Sequence, residues 1–144
     1  MSVGEDVMRY VLAVAVAVMV VLPVQAKTAQ DTLELTTESC LTANDSTAGM
    51  LECFSRAEKE WDTELNRVYK ALQSQLKPAA QDVLKQAQRA WMAQRDKEFE
   101  LINAIHAQMD GTMWIAVMAG KRADVVKARA VALQEYLDLL TEGV

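Results

Sequence analysis

MLECFSRAEKEWDTELNRVYKALQSQLKP, residues 50–78, decides the fold. Met50, Phe54, Ala57, Trp61, Leu65, Val68, Leu72 and Leu76 recur every three or four residues, and at about 100° per residue they form one stripe along a helix. Asn44, Asp45, Ser46 and Thr47 offer N-caps just upstream. Lys77-Pro78 closes the helix, because proline disfavours the helical conformation in the residue before it and suits the first turn of a new one. The pattern predicts a first helix over 47–76 and, after this short link, an antiparallel neighbour.

That second helix is predicted over 78–109, with Leu84, Ala87, Trp91, Ile102, Ile105 and Met109 in phase. Arg95 and Glu98 occupy the two turns where an apolar residue is missing. Asp110-Gly111 is a turn signal. A third helix starts near Thr112 or near Lys121 and runs to Leu140, with Val126, Ala130, Leu133, Leu137 and Leu140 on one side. No repeat or strand-like alternation interrupts this. The expectation is an all-α domain over 46–144, an elongated antiparallel bundle of three main helices. Helices of nearly 30 residues are about 45 Å long. Such a rod favours binding over enclosed catalysis.

Upstream, MRYVLAVAVAVMVVLPVQA, residues 8–26, has a cationic Arg9, an apolar run, Pro23 as a breaker and the small-residue site Val24-Gln25-Ala26. These are the parts of a secretory signal peptide, assigned to residues 1–26. Glu5 and Asp6 have the wrong sign for such a leader, so translation from Met8 is the alternative start. The run is short of the roughly 20 apolar residues of a membrane span, and no cysteine follows the cut to carry a lipid. A periplasmic or secreted bacterial protein without a stable membrane anchor is expected. Loss of residues 1–26 removes Glu5, Asp6 and Arg9, leaving 18 acidic against 14 basic residues. An acidic chain of this kind suits a cationic protein partner and not a nucleic acid.

Cys40 and Cys53 are the two cysteines of the chain. In an oxidising compartment they are expected to form a disulfide, closing a loop whose entropy is worth roughly 3 kcal/mol. Two thiols and the single His106 are too few for a metal site, and no cofactor is implied. Residues 27–45 are Thr-rich, polar and without a clear period, so they read as an irregular arm that Cys40 ties to the first helix.

The charges on the second stripe need partners, since a desolvated guanidinium or carboxylate is costly. Arg95 is within reach of Glu98 on its own helix, while Asp62, Glu64, Asn66 and the Tyr69 hydroxyl lie near Trp61 on the first. The expectation is a hydrogen-bonded clasp that fixes helix register, with Trp61 and Trp91 packed beside it. A general-acid role for Glu64 or Glu98 would need a second carboxylate placed to match, and no nucleophile and base share a recognisable spacing. The chain is therefore read as a non-enzyme. Gly111, Thr112, Met113 and Trp114 form a candidate partner-facing loop, with Trp114 as a cover for the end of the bundle as the alternative.

Two blocks carry a resemblance. Met50, Cys53, Asp62, Glu64, Leu65, Asn66 and Tyr69 match one, and Ala87, Gln88, Ala90, Trp91, Arg95 and Asp96 match the other. Together they resemble the signature of the LprI-like family of small exported bacterial proteins, over about residues 40–137. Family members typically carry a cysteine three residues after the Arg-Asp pair and another near the start of the last helix. Here Phe99 stands at the first place, and none stands near Gly120. Loss of both is what mutual bonding implies, which leaves Cys40 to Cys53 and Phe99 as a space filler. The resemblance implies inhibition of lysozyme, itself a cationic protein, by protein–protein contact. The alternative is a structural, stress or immunity-type envelope protein with another partner.

Overall fold

The computed structural model describes residues 24–142, with side chains from 29 onward. Most of the expected signal peptide, residues 1–23, lies outside the described residues. Four helices follow in order: α1 Val24–Ala43, α2 Thr47–Gln75, α3 Pro78–His106 and α4 Met113–Glu142. The fold is an all-α bundle whose consecutive helices alternate in direction. None of the described helices is long and apolar enough to cross a membrane.

The caps explain where the helices stop. Ser46 is the N-cap of α2, its hydroxyl accepting from the Gly49 amide at 3.0 Å. At the other end Leu76 turns extended, and Pro78 occupies the first turn of α3. Gln81 holds this corner by donating to the carbonyls of Gln73 and Leu76, at 3.0 and 2.9 Å. Between α3 and α4, Gly111 adopts φ 104°, a conformation that favours glycine, and α4 begins two residues later. The third predicted helix therefore starts at Met113, the earlier of the two expected places, and residues 113–120 are its first turns.

Helix α2 buries Ala57, Trp61, Leu65, Val68 and Leu72 of the predicted stripe. They face α4, which contributes Ala116, Ala119, Gly120, Ala123, Val126, Ala130, Leu133 and Leu137. The small residues of α4 let the two backbones come close, and the bulky side chains of α2 fill the space. Matching positions rise together along both helices, as in Glu58 with Arg122 and Arg67 with Gln134, so α2 and α4 run parallel. Helix α3 is antiparallel to both but sits mainly on α4. Its inward side chains, Leu84, Trp91, Phe99 and Ile102, are mostly large, and they hold its axis away from α2 beyond the Gln81 corner. Ala87 and Ile105, predicted for that stripe, are exposed, and so is Leu140, predicted for the inward side of α4.

The segment read as an irregular arm is helical through Ala43. A period is present once polar residues are counted: Gln30, Leu33, Thr37, Cys40 and Leu41 turn inward at helical spacing. Two threonines satisfy their hydroxyls on carbonyls one turn back, Thr37 on Leu33 and Thr42 on Glu38, each at 2.9 Å. Tertiary ties then outweigh the weak propensity. Cys40 is bonded to Cys53, with 5.8 Å between the Cα atoms. Leu33 packs on the core, and Glu34 pairs with Lys127 of α4 at 2.7 Å.

These ties are few, so the disulfide carries much of the docking of α1. Replacing Cys40 and Cys53 together by serine should lower stability by about 3 kcal/mol. Hydrogen exchange should show α1 losing protection before α2 and α4. An unchanged melting temperature, or α1 amides as protected as before, contradicts this account of how α1 is held.

Candidate functional site

The expected single clasp resolves into two separate clusters. The first is centred on Glu64, whose side chain is 6% exposed beneath α1. Arg67, one turn on, donates from Nε and Nη2 to its two oxygens, both at 2.7 Å. Gln30 of α1 adds its amide at 3.4 Å, and Arg67 also reaches Gln134 of α4 at 3.3 Å. Gln134 in turn donates to Asp138 at 2.7 Å. The carboxylate of Glu64 raises the pKa of Arg67 above its usual value, by hydrogen bonding first, against the opposing effect of burial. Two helices thus meet on one carboxylate, and α4 joins them through Arg67. Sequence reasoning named Glu64 but not Arg67, Gln30 or Gln134, because an arginine at i+3 with a half-exposed stem reads as a surface residue.

The second cluster runs along the seam of α3 and α4. Arg95 lies over Trp91 at 5.5 Å and over Phe99 at 5.9 Å, measured to ring centroids. Arg122 of α4 covers Phe99 at 3.9 Å, and Arg129 lies over Trp91 at 5.9 Å. Three guanidinium groups and two rings alternate in one ladder. Arg95 pairs with Asp96 beside it, at 2.7 Å, so its anionic partner comes from its own helix. Arg122 pairs through two hydrogen bonds with Glu58 of α2, at 3.2 and 3.1 Å. Arg129 donates from Nε to Gln88 at 3.0 Å and pairs with no carboxylate among the described residues. Burial pushes its pKa below the usual value, and the phenol of Tyr136 opposes that shift.

Glu98 does not belong to either cluster. At about 100° per residue it falls to one side of the line through Leu84, Trp91, Arg95, Phe99 and Ile102, and it is exposed. Phe99, which the family comparison of cysteines had marked as a space filler, is the residue on the face. Glu64 and Glu98 are consequently not brought together. Asp62 is exposed and accepts from the Asn66 amide at 3.3 Å, while Trp61 and Leu65 are core residues and Tyr69 packs against them.

Because α3 stands away from α2, a groove of about 390 Å³ lies between them, lined by Glu58, Lys59, Asp62, Thr63, Arg95 and Phe99, with Val126 of α4. It brings Asp62 of the first sequence block to Arg95 of the second. At the turn joining α3 to α4, Leu101, Ile105, Met113 and Ile115 are exposed, with Gly111 and Thr112 outermost and Trp114 half-buried. No group of three or more metal-ligating side chains occurs among the described residues.

The sequence profile of the family described as Lysozyme inhibitor LprI matches residues 38–133. The chain belongs to that family, whose members are inhibitor proteins and not enzymes. The crystal structure of an uncharacterized protein from Burkholderia thailandensis is similar, with a TM-score of 0.70 and 28% sequence identity. The similarity covers 76% of this chain and 55% of that one, so this chain spans little more than half the length of that protein. No curated protein matches the chain.

The two clusters should respond differently to loss of their arginines. Arg67→Ala leaves the Glu64 carboxylate buried with Gln30 as its remaining partner, and should cost about 2 kcal/mol. Arg95→Ala strands only Asp96, which is 62% exposed, and should cost about 1 kcal/mol or less. Urea unfolding of the two variants checks the order, and a larger loss for Arg95→Ala would contradict the assignment of the buried charge to Glu64.

Proposed function

We propose that this LprI family member is exported and inhibits lysozyme-type muramidases by protein–protein contact, in the periplasm or outside the cell. The family match over residues 38–133 is the observation that carries the reading. Removal of residues 1–26 takes away the first turn of α1 and leaves a chain of net negative charge. Lysozymes of the cationic type would be drawn to it, and complementary charge raises association rates more than it raises affinity.

The contact surface in this reading is the end of the rod at the turn from α3 to α4. A muramidase holds its two carboxylates in a cleft, and a convex element is needed to enter one. Gly111 and Thr112 lead that turn, and Met113, which is 55% exposed, and Ile115 supply apolar surface that the bundle leaves uncovered. Ile105 extends the same surface down α3.

Clearing of a bacterial cell-wall suspension by lysozyme tests the inhibition. Stoichiometric purified protein should slow it, and full clearing at an excess of protein would end this reading. Met113→Asp should relieve the inhibition at least about tenfold, the effect expected when one apolar anchor is lost from an interface, while the melting temperature stays put. Unimpaired inhibition by that variant would move the contact elsewhere on the molecule.

A further inference from the structure

Arg129 is positioned by two residues of the second sequence block and neutralised by none. Gln88 accepts from its Nε and the Trp91 ring centroid lies 5.9 Å from its guanidinium carbon, so the group is held in the seam between α3 and α4. Arginine carries five N–H donors, and this bond uses one of them. The other half-buried arginines of the ladder, Arg95 and Arg122, each have a carboxylate at 2.7 or 3.1 Å. Around Arg129 the charge is also one-sided. Lys85 and Arg89 are exposed on the adjoining stretch of α3, where Asp82 is the one acid between residues 78 and 95. Glu135 of α4 points to another groove, with Asp124, Lys127 and Val131, and Asp138 is engaged by Gln134. Tyr136, two turns after Arg129, adds an exposed phenol.

We propose that Arg129, held by Gln88 and Trp91, is a binding residue for a carboxylate side chain of a partner polypeptide. The planar fork of a guanidinium matches a carboxylate through two parallel hydrogen bonds, and its Nη groups are the donors left for that purpose. The neighbouring ring and the glutamine cut the ordering cost that a free arginine side chain would pay on binding. Within an acidic chain, this local basic patch selects for an anion where the remainder of the surface repels one. The site lies on the long side of the rod and is separate from the turn assigned to muramidase contact, so neither reading depends on the other.

The test uses the full exported chain and two capped pentapeptides that differ only in a central glutamate or glutamine. NMR follows the Nε–H signal of Arg129 and the indole N–H of Trp91. The glutamate peptide should shift both signals saturably. The glutamine peptide should bind at least about tenfold more weakly, as should the glutamate peptide with Arg129→Gln, for the loss of a bidentate charged pair. Arg129→Lys, which keeps the charge without the fork, should also weaken binding. Equal affinity for the two peptides, or no saturable shift with either, overturns the proposal. Saturation by inorganic phosphate that the glutamate peptide cannot displace overturns it too, by assigning the fork to a tetrahedral anion. If Arg129→Gln fails to fold, the comparison of the two peptides on the unaltered protein decides the matter.

Discussion

The arrangement of this bundle depends on how closely α4 can approach α2. Ala116, Ala119, Gly120, Ala123 and Ala130 present almost no side chain toward the neighbouring helix. At Gly120 the space is fully used, since a Cβ there would sit 3.2 Å from the ring of Phe54. Trp61, Leu65, Val68 and Leu72 of α2 then fill the room that the alanines leave, and each such burial is worth about 1.5–3 kcal/mol against an exposed side chain. Close packing needs one small partner for each large one. With α4 supplying the small set, α2 and α4 form the closest pair although α3 separates them in sequence.

The other two helices take positions set by that pair. Helix α3 is left with large and charged residues on its inner face, so it rests on α4 through rings and guanidinium groups and leaves a groove toward α2. Helix α1 covers the opposite side, where Glu64 and Trp61 would otherwise meet water. A buried carboxylate is a poor source of stability in itself, because desolvation offsets most of what Arg67 contributes. Its value is geometric. Gln30 and Arg67 bond Glu64 from α1 and α2, Arg67 carries the chain on to Gln134 of α4, and all these bonds form together only in one register. Among the described residues every buried side-chain nitrogen or oxygen has a partner, as such a network requires.

Much of this was legible in the sequence where apolar residues alone carry the period. The α2 stripe from Ala57 to Leu72 is of that kind, while the corner at Pro78 and the disulfide were legible from the chemistry of single residues. The period was obscured where polar residues take inward positions. Gln30 and Thr37 occupy two of the inward turns of α1, so a search for apolar spacing finds none there. Glu98 shows the opposite error, since a charge three residues from Arg95 looks like a partner until the drift of the stripe toward Phe99 is followed. The ladder was hidden for a further reason. Arg122 and Arg129 lie on a helix whose residues are largely apolar or small, and only the fold shows that they meet Phe99 and Trp91.

The two sequence blocks divide the physical work between core and face. The first supplies core residues, Trp61 and Leu65, together with the buried Glu64, and a local pair on the surface, Asp62 with Asn66. The second gives every polar member a contact on the α3 face: Gln88 holds Arg129, and Asp96 holds Arg95 beside Trp91. None of these places a nucleophile against a base, and the carboxylates that have arginine partners are occupied by them. The second block also fixes the position of Arg129, whose charge no carboxylate among the described residues answers. A side chain whose position is already fixed by its neighbours pays less ordering cost on association than a free one.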